Sequence, residues 1–151
     1  MKITAQEEYG LRCLLRVAQG DGEPVTISQI CKAEGISQPN VAKMMRLLRR
    51  GGFVKSIRGH DGGYELARQP EEIAVGEVLA FLGGRLYDHQ FCDTRGGGAD
   101  SCRHLSGCRV RSLWLRIQIA VDHSLRRITL SDLLQGEDQE LIRLGPPVPA
   151  P

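Results

Sequence analysis

The chain has 151 residues, 41% hydrophobic and 25% charged, the make-up of an ordinary globular protein with a net charge of +2. That length suits one domain with an appended helix, and no apolar run approaches the ~20 residues that span a bilayer. The N-terminus is polar, with Glu7 and Glu8, and does not read as a secretory leader; five cysteines, an odd number, do not suit a disulfide framework, so a reducing, cytoplasmic setting is expected.

Residues 5–19 predict a first helix, with Leu11, Leu14, Leu15 and Ala18 on one stripe, ended by Gly20-Asp-Gly22-Glu-Pro24. Thr26 to Glu34 predicts a short second helix, stopped by Gly35. Ser37 stands where it can cap a third, with Pro39 tolerated in its first turn. In that third helix Val41, Met44 or Met45, and Leu48 fall inward, leaving Gln38, Asn40, Lys43 and Arg46 outside. Two short helices joined by Glu-Gly-Ile-Ser form a helix-turn-helix pattern, the glycine permitting the sharp turn.

Gly51-Gly52 ends the third helix, and Phe53–Ile57 and Tyr64–Ala67 then alternate like two strands around Arg58-Gly-His-Asp-Gly-Gly63. That is a hairpin with a glycine-rich tip, placed as the wing of a winged helix. Between Lys32 and Arg58 stand seven Lys or Arg against one acid, Glu34, a local excess that suits a phosphate backbone or, more plainly, a solvated helix face.

Glu71 to Phe81 predicts a further helix. A long helical pattern then runs from about Gly107 to Arg127, with Val110, Leu113, Trp114, Ile117, Val121 and Leu125 on one stripe and Leu115 and Ile119 well off it. So wide an apolar surface exceeds what one neighbour covers, which predicts a helix packed on its twin in a homodimer and on its own domain. Thr129 is placed to cap a last short helix through Leu134, and the proline-rich tail Gly145–Pro151 predicts a flexible end. The expected organisation is mainly α with a small β-hairpin: a winged helix-turn-helix domain at 1–82, a cysteine loop at 83–108, a dimerisation helix with a short terminal helix at 109–135, and a flexible tail at 136–151.

Cys92, Cys102 and Cys108 stand in one stretch with Gly96, Gly97, Gly98 and Gly107. Three soft thiolates on a pliable loop suit an iron–sulfur cluster or zinc. Zinc would take these three and a histidine, His104 being nearest in sequence, although the loop lacks the CxxC knuckle of structural zinc sites. A metal-free thiol switch is the third reading. Cys13 and Cys31 lie within predicted helices and read as small buried hydrophobes. No HExxH, P-loop, GxSxG or dinucleotide fingerprint is present, which argues against an enzyme.

The opening Met-Lys-Ile-Thr with Tyr9, the turn Glu-Gly-Ile-Ser, the wing Val-Lys-Ser-Ile-Arg-Gly-His-Asp-Gly-Gly-Tyr, the following Ile-Ala-Val-Gly-Glu-Val and three spaced cysteines before Leu-Trp resemble the bacterial IscR/NsrR/RirA winged-helix regulators. The resemblance runs from Met1 to about Leu134. It implies a dimeric, DNA-binding transcriptional regulator, a repressor in the commoner family mode, on a palindromic operator in double-stranded DNA. It also implies an iron–sulfur cluster on Cys92, Cys102 and Cys108. A histidine completes a two-iron cluster in the IscR branch; here Arg111 takes that place and cannot ligate, because it stays protonated. An acid in the first helix, from the partner subunit, completes a four-iron cluster in the NsrR branch, and Glu8 stands at that position.

The resemblance therefore favours a 4Fe-4S cluster held by the three cysteines and Glu8 of the partner subunit, with His104 as the alternative fourth ligand and 2Fe-2S as the alternative nuclearity. The signal would be nitric oxide, redox state, or iron and cluster supply. The other functional readings are a thiol-based regulator of the same fold and an iron–sulfur carrier. On the DNA side, Gln38, Pro39, Asn40 and Lys43 fall where a recognition helix meets base edges. Arg58 resembles a family arginine that enters the minor groove, with Gly59 and His60 beside it, while Arg46, Arg49, Arg50 and Lys55 are expected to grip phosphate.

Overall fold

The computed structural model describes residues 3–59, 62–87 and 108–135. Helix α1, Ala5–Ala18, starts at a reciprocal cap: the Thr4 hydroxyl accepts from the Glu7 N–H at 3.4 Å, and the Glu7 carboxylate accepts from the Thr4 N–H at 2.8 Å. Helix α2, Ile27–Glu34, repeats the device with Thr26 and Gln29, and ends at Gly35 in the left-handed region at φ 65°. Ile36 is buried, and helix α3, Gln38–Arg50, follows.

Ser37 does hold the N-cap backbone position of α3, but its side chain makes no cap hydrogen bond, against expectation. Val41, Met44, Met45 and Leu48 are all buried, so both methionines face the core. Cys13, Leu14 and Val17 of α1 join them, as do Ile30 of α2 and Phe53 and Val54 just after α3.

Strands β1, Val54–Ile57, and β2, Gly63–Leu66, pair antiparallel with Val54 opposite Leu66 and Ile57 opposite Gly63. Val25, between α1 and α2, adds a bridge: its N–H donates to the Tyr64 carbonyl and its carbonyl accepts from the Tyr64 N–H, both at 2.9 Å. The wing is thereby tied at its base to the segment that launches α2.

The single helix expected over Glu71–Phe81 is broken. A 3₁₀ turn, Pro70–Glu72, is followed by extended Ile73 and Ala74 and then by α4, Val75–Gly83. The break has a partner, because the chain returns alongside it near its C-terminal end. The Val75 N–H donates to the Ile128 carbonyl and the Leu130 N–H to the Ile73 carbonyl, each at 2.9 Å, and Ala74 bridges Thr129. Ile73 and Leu130 are fully buried there. Pairing across a distance of more than fifty residues overrides local helix preference.

Gly10 sets how closely α1 and α4 approach: a Cβ on it would lie 2.4 Å from the Leu82 side chain. Helix α5, Arg109–Leu125, lies beside α4, and the short helix α6, Leu130–Gln135, closes the described chain. Thr129 caps α6 as expected, its hydroxyl accepting from the Asp132 N–H at 3.2 Å while the Asp132 carboxylate accepts from the Thr129 N–H at 2.7 Å. Among the described residues no helix is long and apolar enough to cross a membrane.

Candidate nucleic-acid interface and cysteine site

Helix α3 is two-faced for a reason visible in its residues. Its four buried apolar side chains pin one side to the core, so Gln38, Pro39, Asn40, Lys43, Arg46, Arg49 and Arg50 are all exposed on the other. The polar amides stand in the first turn and the arginines along the rest, a layout that suits base edges at the helix start and phosphate along its body. Neither Gln38 nor Asn40 is needed for capping or packing, which leaves both amides free for a bidentate partner.

On the wing, Arg58 and Gly59 are exposed, and Gly59 has φ 125°, a conformation that resists any side chain. His60 lies outside the described residues. Lys55 faces Glu65 across the hairpin with Nζ 3.2 Å from the carboxylate, so its charge is partly answered within the wing. Lys55 therefore brings less net charge to a phosphate than Arg58 does.

Of the expected cluster ligands, Cys108 and Glu8 are described; Cys92, Cys102 and His104 lie outside the described residues. Cys108 is half-buried at the N-cap of α5, and its Sγ accepts from the Arg111 N–H at 3.4 Å. The positive end of a helix of 17 residues thus faces the sulfur, an arrangement that favours a negatively charged donor there. Arg111, standing where one branch of the resembling regulators has a histidine, contributes its backbone N–H.

Glu8 is exposed in the first turn of α1 and reaches Arg12, with 3.5 Å between Oε1 and the guanidinium. Arg12 is bound more closely elsewhere. Its Nε donates to the Glu34 carboxylate at 3.0 Å and its Nη2 to the Glu34 main-chain carbonyl at 2.9 Å. The hydrogen bond that Arg12 donates to the Glu34 carboxylate is the main reason that the Arg12 pKa rises above its ordinary value. Glu34 is the last residue of α2, immediately before the Gly35 turn, so this arginine braces the helix-turn-helix at its corner.

A second constellation holds the segment that leads out of α4. The Gln118 side chain is buried in α5, accepts from the Tyr87 N–H at 2.9 Å and donates to Asp122 at 2.7 Å. Asp122 in turn pairs with Arg85. The chain leaves the described fold at Tyr87 and re-enters at Cys108, ten positions before Gln118, or about 15 Å along the helix at 1.5 Å per residue. Both ends of the cysteine segment are therefore fixed on one helix.

Sequence reasoning found the exposed face of α3 and the first-turn acid, but not Glu34 as the arginine's partner nor Gln118 as the anchor. A Glu–Arg pair four residues apart was legible at Glu8 and Arg12. The reach to Glu34 and the pairing of Tyr87 with Gln118 join residues 22 and 31 positions apart, for which periodicity carries no signal.

Helix α5 carries large apolar side chains into solvent: Val110, Leu113, Trp114 and Ile119 are 58%, 52%, 42% and 63% exposed. Ile117, Val121 and Leu125 line, with Ile3, Leu79 and Leu86, a mostly apolar groove of about 540 Å³. The expected stripe is thus divided between the groove and an open face.

A family model described as "Rrf2: Iron-dependent Transcriptional regulator" matches residues 3–136. The chain is 35% identical over 136 residues to Protein rrf2 of Nitratidesulfovibrio vulgaris, covering 89% of this chain and 88% of that one. It is 32% identical over 139 residues to the transcriptional regulator IscR of Serratia proteamaculans, covering 91% and 82%. Among solved structures it is similar to CymR (YrzC), the global cysteine regulator of B. subtilis, with a TM-score of 0.73 at 29% identity over 91% of this chain and 99% of that one. It is also similar to T. potens IscR, with a TM-score of 0.71 at 29% identity over 89% and 87%. The relatives are named as regulators, not enzymes, and the chain belongs to the Rrf2 family of winged-helix transcriptional regulators.

Proposed function

We propose that this regulator binds a palindromic operator in the cytoplasm as a homodimer, chiefly as a repressor, and that an iron–sulfur cluster sets its affinity. Gln38, Pro39, Asn40 and Lys43 read base edges in the major groove, Arg58, Gly59 and His60 follow the minor groove, and Arg46, Arg49, Arg50 and Lys55 hold phosphate. The exposed apolar face of α5 packs on its twin, which spaces two reading heads about 34 Å apart, one helical turn of DNA.

The residues fit a cluster where they are described. Cys108 offers a half-buried sulfur to a helix N-terminus, and Glu8 presents an exposed carboxylate whose own ion pair is the looser of the two that Arg12 makes. Cys92, Cys102 and Cys108 with Glu8 of the partner subunit would hold it. A four-iron cluster held by these residues would supply a centre sensitive to nitric oxide, redox state and iron supply. Glu8 then ties one subunit's α1 to the other's loop, and Gln118, Asp122 and Arg85 keep that loop registered on α5. Losing the tie frees the spacing of the heads, and operator affinity falls by the difference between the two arrangements.

The observation carrying this reading is the joint placement of Glu8 and Arg12: the proposed ligand touches the residue that braces the helix-turn-helix. The test is anaerobic purification with iron and sulfide analysis, Mössbauer spectroscopy and gel-shift titration. The expected result is about four irons per chain and operator affinity that falls when the cluster is removed. A colourless protein with stoichiometric zinc would end the cluster reading. The likeness to CymR favours a second reading, regulation through bare cysteine thiols on the same fold, which predicts full DNA response with no iron.

A further inference from the structure

The hairpin sorts its side chains by face. Val54, Tyr64 and Leu66 lie on the side that packs on the core, while Lys55 and Glu65, opposite each other in register, lie on the other side. There the Lys55 Nζ stands 3.2 Å from the Glu65 carboxylate. Glu65 is the more enclosed partner, its side chain 22% exposed against 56% for Lys55, so the carboxylate is the fixed end and the ammonium the reaching one. Of the cations Lys43, Arg46, Arg49, Arg50, Lys55 and Arg58, Lys55 alone is paired with an acid among the described residues. The pair also lines a polar cavity of about 580 Å³ together with Asp21, Glu23, Glu71 and Glu72, which adds negative charge on the side to which Lys55 turns.

We infer that Glu65 is an affinity-limiting residue: it neutralises Lys55 within the wing and so holds down the sequence-independent part of DNA binding. A duplex releases its condensed counterions in proportion to the positive charge brought to its phosphates. A lysine already matched by a carboxylate still offers N–H donors to a phosphate oxygen, but it delivers almost no net charge. The wing then grips the backbone electrostatically through Arg58, with Lys55 held in reserve. Phosphate contacts carry no sequence information, so weakening one lowers affinity for every duplex alike and leaves the base contacts of Gln38 and Asn40 untouched. The inference deepens the proposed DNA reading and rests on it, because the charge of Lys55 matters to binding only where the wing lies on a duplex. It does not depend on the cluster.

The test is fluorescence anisotropy of the full chain on two mixed-sequence duplexes of different base composition, titrated with salt, with variants matched for iron content. Glu65→Gln keeps the shape and removes the charge. It is expected to tighten binding about fivefold at ~0.1 M salt, the upper range of an exposed ion pair. The slope of log affinity against log salt should steepen by about 0.9 for each wing on the duplex, equally on both sequences. Glu23→Gln removes a carboxylate from the same cavity without freeing Lys55, and should tighten binding by less than about twofold, as screening dictates for a more distant charge. In a Lys55→Gln background the gain from Glu65→Gln should shrink to that of Glu23→Gln, since the cycle isolates what passes through the pair. Thermal unfolding checks that the hairpin stays formed, and Glu65→Thr, uncharged and suited to a strand, gives a second route to the same result. Arg58→Ala reports separately whether the wing touches DNA. If Arg58→Ala weakens binding while Glu65→Gln leaves affinity and slope unchanged, the limiting role is overturned and the DNA reading stands. An equal gain with Lys55 absent, or a gain on one sequence only, would likewise overturn it. If neither variant moves affinity or slope, the wing does not lie on DNA, and that part of the proposed function falls together with the inference.

Discussion

The reading head and α5 use apolar side chains in opposite ways. In the head, α1, α2, α3 and the hairpin converge so that Cys13, Leu14, Ile30, Val41, Met45, Leu48 and Phe53 lose essentially all contact with water. In α5, over 17 residues, the buried side chain is the polar Gln118, while Val110, Leu113, Trp114 and Ile119 face outward. A domain that needed only to fold would not leave Trp114 and its neighbours in water, since each large apolar side chain buried is worth ~1.5–3 kcal/mol. The head closes around its own core; α5 leaves an exposed apolar face of the kind that suits a partner.

The sharpest way to test the closed half of that contrast is chemical. Cys13 is buried, and burial, reinforced by the Glu34 carboxylate and Cys31, pushes its thiol from 9.0 up to about 12. Its thiolate fraction at neutral pH, and hence its alkylation rate in the native protein, should be about a thousandfold below that of an ordinary thiol. The sign for stability follows: between pH 9 and about 12 the unfolded chain releases this proton and the folded one keeps it, so stability falls as pH rises through that window. Cys13→Ala should flatten that alkaline fall in denaturant titrations. Fast native labelling of Cys13 would mean that the head opens readily.

Next in size is Phe53, which packs edge-on to Phe81 at 5.7 Å and lies under Arg68 at 5.5 Å. Phe53→Ala should cost ~3–5 kcal/mol in urea unfolding, because the rigid surroundings cannot close the cavity. On the open half, Leu113→Glu with Trp114→Glu should leave the unfolding of the head within ~0.5 kcal/mol of wild type. The same pair of changes should give a monomer by light scattering and weaken operator binding about a hundredfold, through loss of two-headed engagement. A stable dimer in that variant would place the interface elsewhere.

The smallest effect sits where the chain returns to the head. Thr129→Ala should cost ~1 kcal/mol by removing the cap of α6. The hydrogen bonds from the Thr129 backbone and hydroxyl hold the Asp132 carboxyl below its usual range. Its contribution is therefore present above the unfolded-state value and is lost as pH falls through the lower folded value. The stability difference between wild type and Asp132→Asn should accordingly narrow on acidification.

Periodicity and punctuation made much of this legible before any coordinates. The stripes of α1 and α3, Thr26 and Gly35 at the ends of α2, and the glycines around the wing all express local rules that the fold obeys. The exposed polar face of α3 followed directly, because assigning Val41, Met44 or Met45, and Leu48 to the core left the amides and arginines no other side. Local rules failed at Ile73 and Ala74, where a helical pattern yields to backbone pairing with residues 128–130. At Ser37 the backbone takes the expected N-cap position, yet the side chain makes no cap hydrogen bond.

What the sequence determined by itself is the family, the order of elements and the chemistry on offer: cysteines in a glycine-rich stretch, an acid in the first turn, a basic third helix. These are properties of residue type and short-range spacing, and they survive without knowing what packs on what. The tertiary structure alone decided the connections: Arg12 reaching across to Glu34, Gln118 holding the exit at Tyr87, and Val25 tying the wing to the start of α2. Each joins residues tens of positions apart through a hydrogen bond a few ångströms long. Such a bond depends on the packing of entire helices, and spacing along the chain contains no record of it.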